Sequence, residues 1–239
     1  MKIADVACGS GIWLTEVAAQ YPNAQCDGFD IKGAEFPDQA KLGESALSGR
    51  LRFHVRDIAA EDGFPTEYQR QFDLVAVRLI HINLVGAQWK RAVANVTALL
   101  KPGGTLQWID WNPRSAYLLQ SKPLVRHAAL DQLMEGFEAF IDTRDTASIA
   151  RLPETMRENG MEVASERFAV DEDQGWRNSI FGLMVSEIPK MIKALMKTGG
   201  SGWDEKRLEH VQKEAEEEVK QDGLWIRSEM WCHIGRKQD

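Results

Sequence analysis

Near its start the chain sets a short apolar strand, a glycine turn and a helix in immediate succession, Asp5-Val6-Ala7-Cys8-Gly9-Ser10-Gly11-Ile12-Trp13. Such a turn brings backbone N–H groups close to a ligand at a helix N-terminus. Only four residues precede Asp5. The ordered segment that normally leads into a loop of this kind is therefore expected to be missing, and with it a cover for the loop's ligand.

After the loop, apolar runs alternate with helical patterns, the mark of strand-helix-strand units and a mostly parallel sheet. Ile3 to Ala7, Cys26 to Ile31 and Leu51 to Val55 read as strands one to three. Phe72 to Val77 is nearly continuous in apolar residues, so strand four should be central and covered on both faces. A first helix over Ile12 to Gln20 should turn Ile12, Val17 and Ala18 inward. A helix over Ala87 to Leu100 carries Trp89, Val93, Val96 and Leu100 at helical spacing. Lys101-Pro102-Gly103-Gly104 stops it, and Thr105 to Trp111 reads as strand five.

From Asn112 to Thr146 the pattern becomes helical, with Leu130, Leu133, Met134, Phe137 and Phe140, and suits a lid inserted into a single domain of residues 1–239. Ile149 to Asn159 reads as a crossover helix closed by Gly160, and Met161 to Val170 as a strand. Helices over Ser179 to Lys197 and Asp204 to Gln221 flank the Gly199-Gly200-Ser201-Gly202 turn. Leu224 to Ile234 should close the sheet edge. Glu209 with Lys213 and Glu216 with Lys220 stand four residues apart and read as pairs on a solvated face.

Composition removes several classes of function. A net charge of −7 over 239 residues argues against affinity for nucleic acid, which needs a basic face. No apolar run approaches about 18 residues and no leader pattern opens the chain, so neither a membrane span nor a signal peptide is expected. A cytoplasmic protein acting on a small molecule follows, or a nuclear one if its role is regulatory; oligomeric state is unreadable. Cys8, Cys26 and Cys232 are too few and too scattered for a disulfide framework, and no metal-ligand spacing occurs. Cys8 alone lies near a ligand loop, where it can also be a small filler.

The loop spacing A-x-G-x-G lacks the third glycine of a dinucleotide fingerprint, Trp13 standing near its place, which disfavours a nicotinamide oxidoreductase. Asp30 closes strand two about twenty residues on, where a carboxylate can accept both hydroxyls of a ribose or simply cap a turn. Asp57-Ile58 closes strand three; it can meet the amino group and face of an adenine, or Asp57 can cap the segment from Ala59. Three acidic strand ends in one parallel sheet mark the place where such sheets bind ligands.

With these residues in place, the sequence resembles the class I S-adenosylmethionine-dependent methyltransferases. Asp27-Gly28-Phe29-Asp30-Ile31, Val77-Arg78-Leu79 and Leu99-Leu100-Lys101-Pro102-Gly103-Gly104-Thr105-Leu106-Gln107-Trp108 look like a fungal group associated with secondary metabolism. The resemblance covers roughly residues 3 to 111. It implies a three-layer Rossmann-like α/β fold, a seven-stranded sheet with an antiparallel last strand, and S-adenosylmethionine as cofactor. Asp5, Ala7, Cys8, Gly9, Gly11, Asp30, Ile31, Asp57, Ile58, Arg78 and Leu79 match the cofactor-binding positions, with Ala7 where a glycine is more usual.

Methyl transfer from a sulfonium depends chiefly on proximity and orientation, with a base needed only for a protonated nucleophile. His81, just past strand four, is the candidate base; its other reading is a packing histidine. Trp108, Asp110 and Trp111 at the end of strand five can wall an apolar or cationic substrate, or belong to the core. Arg78 can meet the cofactor carboxylate, or pair with Asp57 or Asp73. The expected activity is methylation of an oxygen, nitrogen or sulfur of a small metabolite. A regulatory or scaffolding protein on the same fold is the competing class. The short lead into Asp5 predicts weaker catalysis than in a chain extended at that end.

Overall fold

The computed structural model describes residues 1–38, 42, 47–120, 126–144, 147–169, 174–199, 202–220 and 224–238. Among them are the strands β1 (Lys2–Val6), β2 (Gln25–Asp30), β3 (Leu51–Val55), β4 (Phe72–Arg78), β5 (Leu100–Gln120), β6 (Met161–Ala169) and β7 (Leu224–Lys237). They make one sheet in the order β3-β2-β1-β4-β5-β7-β6, mostly parallel with antiparallel pairing at the last strands. The expected Rossmann-like α/β sheet is thus the fold. Parallel registers set Val6 beside Phe29 and Val77, Asp30 beside Val55, and Arg78 beside Ile109. The C-terminal ends of β1 to β4 therefore share one edge. The chain moves outward one way from β1 to β3 and the other way from β4, which opens a crevice at that edge.

The chain divides into two compact units, Met1–Asp110 with Ala147–Glu166 and Trp231–Asp239, and Trp111–Thr146 with Arg167–Met230. In the first, helix α1 (Ile12–Gln20) buries Leu14 and Ala18 against Ile3, Cys26 and Leu51. Ile12, expected to point inward, is 68% exposed at the first helical turn, and Leu14 takes the inner place. Tyr21 donates its N–H to the Val17 carbonyl as the helix ends ahead of Pro22. Helix α2 (Gln88–Leu99) buries Trp89, Ala92, Val93, Val96 and Leu99 in the core that holds Val75, Val77, Leu106 and Trp108. Burial of each Val or Leu there stabilises by about 1.5–3 kcal/mol. The same core receives Ile149, Leu152 and Met156 of helix α4 (Ala147–Glu158), the crossover helix expected there.

The second unit packs helices α3 (Ala128–Asp142), α5 (Gln174–Met196) and α6 (Glu205–Val219) on one another. Leu133, Phe137, Ile188, Ile192, Leu208 and Val211 are buried. Gly136 lets α3 close on Ile192, whose side chain would collide with a Cβ there. Asp204 caps α6 by accepting the Arg207 N–H at 2.7 Å, and the Glu218 carboxylate accepts the N–H groups of Ala129 and Leu130 at the start of α3.

The helical stretch expected from Asn112 begins instead as strand, because β5 continues to Gln120 before α3. Lys220 meets Glu217 at 2.6 Å, while Glu216 accepts from Gln212, so the two members of the expected Glu216–Lys220 pair take other partners. Expectations at Thr146, Val170, Gly200, Ser201 and Gln221 fall outside the described residues. Among the described residues no helix is long and apolar enough to cross a membrane. Nor does any cluster of three or more His, Cys, Asp or Glu there suit a metal.

Candidate active site

The glycine loop leaves β1 through three consecutive odd positions in the left-handed region, Ala7 at φ 58°, Gly9 at 55° and Gly11 at 69°. These turns reverse the backbone over the end of β2. Cys8 donates its N–H to the Phe29 carbonyl at 3.1 Å, Gly9 donates to Asp30 Oδ2 at 2.9 Å, and Gly11 donates to the Cys8 carbonyl at 2.9 Å. Lys32 N–H meets the other Asp30 oxygen at 3.0 Å. Asp30 therefore ties the loop to its own strand end while its remaining lone pairs stay available. Gly11 must be glycine on two counts, its φ and the Phe53 ring that occupies the place of a Cβ. It also serves as the N-cap of α1 without a side-chain cap, so the helix begins with bare backbone donors.

Cys8 is a filler. Its Sγ would lie 3.1 Å from a Cβ at Gly28, and burial, reinforced by Asp5 and Asp30, pushes its thiol up to about 12. It stays protonated and inert.

Asp5, on β1, is completely buried and its Oδ2 accepts from an Arg78 terminal nitrogen at 2.9 Å. Burial raises its pKa to about 6; Arg78 opposes the rise and Asp30 adds to it. The Arg78 guanidinium lies over the Trp13 ring, 4.1 Å from its centroid. The partners expected for Arg78 were the cofactor carboxylate, or Asp57 or Asp73 within the chain. Asp5 takes that place because β1 and β4 are adjacent, whereas Asp73 is bound to Lys101 at 2.7 Å and to the Lys2 N–H.

Asp57 accepts the Ala59 N–H at 2.8 Å through Oδ1, a turn cap. Ile58, expected against an adenine face, is buried in the core instead. Exposed apolar side chains gather along the same edge: Ile12, Ile31, Val55 and Leu79 are each more than half exposed. Leu79, at φ 55°, is held there by its N–H to the Ile109 carbonyl. Ile31 and Leu79 were expected at a cofactor; Ile12 and Val55 were not, since a core-facing period hid the first and strand alternation the second.

His81 and Asp110 come together. His81 Nδ1 lies 2.7 Å from Asp110 Oδ1, and Asp110 also accepts from Trp108 Nε1 at 3.2 Å and from the N–H groups of Ile80 and His81. Both residues are buried, and so is Trp108, which stacks on Trp89 at 6.0 Å. Trp108 and Asp110 were expected to wall a substrate. Their side chains instead build a polar core node beneath the end of β4, because an inward position on β5 leaves the indole and the carboxylate no solvent to face. Trp111 belongs to the second unit and stacks on Phe137 at 5.5 Å.

An acidic, glycine-built edge with this topology has a match among known families. Residues 3–104 match the family described as methyltransferase domain. Over that stretch the chain is similar to methyltransferase domains. The chain is 30% identical over 139 residues to the N-methyltransferase sirN of Leptosphaeria maculans, covering 57% of this chain and 46% of that protein. It is 26% identical over 255 aligned residues to the methyltransferase grgD of Penicillium sp., covering 100% and 83%. The chain thus spans less than half the length of the first of these relatives. Phosphoethanolamine N-methyltransferase 2 of Haemonchus contortus, solved with S-adenosyl-L-methionine, superposes with a TM-score of 0.56 at 13% identity, over 100% of this chain and 49% of that one.

The chain's own residues fit S-adenosylmethionine as cofactor. Asp30 has acceptor capacity for a diol, Ile31 and Leu79 offer apolar surface, and the buried Asp5 Oδ1 has no hydrogen-bond partner although a cationic group would supply one.

Proposed function

We propose that the chain transfers the methyl group of S-adenosylmethionine to an oxygen, nitrogen or sulfur nucleophile of a small-molecule secondary metabolite. The observation that carries this reading is the convergence, at one sheet edge, of the left-handed loop, Asp30, Asp57 and the exposed Ile31 and Leu79. When bound, the cofactor supplies an electrophilic methyl on a sulfonium. Asp30 holds ribose hydroxyls, Asp57 receives the adenine amino group through its second oxygen, and the loop N–H groups with Asp5 and Arg78 hold the amino-acid end. The relationship to sirN supports nitrogen as the nucleophile.

His81 takes up a proton where the nucleophile arrives protonated. A hydrogen bond from Nδ1–H to Asp110 leaves Nε2 as the basic nitrogen, so Asp110 acts as a positioning residue that fixes the tautomer. The chemistry itself asks the protein mainly for orientation and exclusion of water.

Calorimetry at pH 7 with S-adenosylhomocysteine tests the reading, followed by incubation of a fungal metabolite extract with methyl-labelled cofactor. Saturable binding and a labelled small-molecule product are expected. Failure to bind S-adenosylhomocysteine ends the proposal.

A further inference from the structure

Residues 57–63, which follow β3 and include Asp57, form turns rather than helix or strand, so their shape has to be held from outside. Asn95 supplies that hold. From α2, 37 and 35 residues away in sequence, its Nδ2 donates to the Ile58 carbonyl and to the Ala60 carbonyl, both at 2.9 Å. Two carbonyl partners identify that end of the amide as its nitrogen and use both of its N–H bonds. Asparagine is a poor helix former, yet here it stands in a helix interior between the buried Val93 and Val96. A residue at odds with its own element marks a task outside that element.

The Ile58–Ala59 peptide links Asn95 to Asp57. Its carbonyl is the one Asn95 holds, and its N–H is the one Asp57 Oδ1 accepts at 2.8 Å. In a planar trans peptide the two groups point in opposite directions. Fixing the carbonyl from one side therefore fixes the N–H on the other, and with it the carboxylate anchored there. The second bond, to Ala60, stops the peptide from turning about the first, and the Ala60 N–H closes the turn on the Asp57 carbonyl at 3.2 Å.

The loop's other tethers are weak. Arg91, one turn earlier on α2, meets Glu61 at 2.7 Å, and Arg56 meets Asp62 and the Gly63 carbonyl, but the Glu61 and Asp62 side chains are 88% and 78% exposed. Ion pairs so exposed contribute little. We propose that Asn95 is a specificity-determining positioning residue: through the Ile58–Ala59 peptide it sets the Asp57 carboxylate to accept from the 6-amino group of adenine and to repel a 6-oxo group. The assignment rests on the cofactor reading given above. Asn95 acts through Asp57.

Calorimetry on the full chain compares S-adenosylhomocysteine with S-inosylhomocysteine, which carries a 6-oxo group in place of the 6-amino group. The unmodified protein is expected to bind the adenine ligand about 10- to 100-fold more tightly. Asn95→Leu keeps the volume and suits the helix but has no donor; it should narrow the preference to within about 3-fold, by weakening S-adenosylhomocysteine rather than S-inosylhomocysteine. A merely structural loss would weaken both ligands alike and leave their ratio intact. Arg91→Ala, which cuts an exposed tether of the same loop, should keep the full preference; loss of it there as well overturns the special part given to Asn95. If Asn95→Leu does not fold, Asn95→Ala removes the same two donors without bulk, and the same narrowing is expected. A folded Asn95→Leu or Asn95→Ala that keeps the full preference overturns the role of Asn95, and loss of the preference in Asp57→Ala then leaves Asp57 as the reader of the base. Equal binding of the two ligands by the unmodified protein overturns the adenine reading of Asp57 and the role of Asn95 together, while the cofactor reading stands. Binding of neither ligand overturns the cofactor reading as well.

Discussion

Two aspartates on neighbouring strands, both fully buried, have been treated in opposite ways. Asp27, in the middle of β2, receives Arg52 through Nε at 3.1 Å and a terminal nitrogen at 3.3 Å, and His54 Nε2 at 2.9 Å. The His54 ring stacks on Phe29 at 5.0 Å and its Nδ1 meets the Tyr68 hydroxyl at 3.2 Å. Burial works to raise the Asp27 pKa, yet the hydrogen bond from His54 and the charges of Arg52, His54 and Lys2 bring it below the usual value. Asp5, one register position away on β1 and near the strand's C-terminal end, has one donor, an orphan oxygen and a pKa raised to about 6. Complete satisfaction marks a carboxylate that holds the sheet edge; incomplete satisfaction at a strand end marks one waiting for a ligand.

The comparison breaks most directly through matched amide substitutions. Asp27→Asn removes the charge around which three donors converge, and should cost about 3 kcal/mol of stability in urea unfolding. The lower part of the range for buried pairs applies because the Arg52 side chain, 53% exposed, can return to water. Its affinity for S-adenosylhomocysteine should be unchanged. A cost below about 1 kcal/mol would show that the network on β3 is ornament rather than support.

Asp5→Asn should do the reverse, with a small change in unfolding free energy but about tenfold weaker S-adenosylhomocysteine binding. The pH profile sharpens this. A carboxylate whose folded pKa is raised from 3.8 to about 6 contributes stability that is complete below pH 3.8 and lost as pH rises through about 6. Cofactor affinity moves the other way, because only the ionised form attracts an ammonium. The groups facing Asp5 are Arg78 from β4, Asp30 from β2 and the Cys8 thiol, and Cys8 stays neutral throughout this range. Affinity for S-adenosylhomocysteine should fall about tenfold between pH 7 and pH 5 in the unmodified protein, an interval in which the ligand's own amino and carboxyl groups do not titrate. In Asp5→Asn the slope should be flat. A slope that persists would move the titration to another group.

The contrast also separates what the sequence discloses from what it withholds. Strand order and the acidic edge are legible because they depend on local period and on residue type at strand ends: Asp30 follows directly from its place after Cys26-Asp27-Gly28-Phe29. The partner of Arg78 is not, since it depends on β1 and β4 becoming neighbours across more than seventy residues. Trp13 enters the sequence reading as a lost glycine, whereas in three dimensions it is the plate beneath Arg78. The joint role of Asp27, His54 and Tyr68 is not legible in the sequence, although the alternation of apolar and basic residues in Leu51–Val55 carries a signal. Registers pairing Asp27 with Arg52 and Phe29 with His54 turn that alternation into a salt bridge and a stack. Trp108 and Asp110 are buried although the local pattern puts them near a strand end, because β5 runs nine residues past Trp111.

The smallest effect tests where strain is kept. Three non-glycine residues have positive φ, Ala7, Arg70 and Leu79, among the described residues. Two of them flank the Asp5–Arg78 pair, Ala7 two residues after Asp5 and Leu79 directly after Arg78, and none lies on β2 or β3 beside Asp27. An alanine in the left-handed region costs about 1–2 kcal/mol relative to the right-handed one, whereas glycine adopts it freely. Glycine also gains about 0.5–1 kcal/mol of conformational entropy in the unfolded chain, which offsets part of the relief. Ala7→Gly should therefore stabilise the protein by about 0.5 kcal/mol in urea unfolding, with S-adenosylhomocysteine affinity unchanged because φ stays where it is. A stability loss instead would mean that the Ala7 methyl, packed at the edge of the core that holds Phe29 and Val77, contributes more than its backbone costs. Either sign decides whether the loop carries strain held against ligand binding or simply tolerates a side chain where a hydrogen would serve.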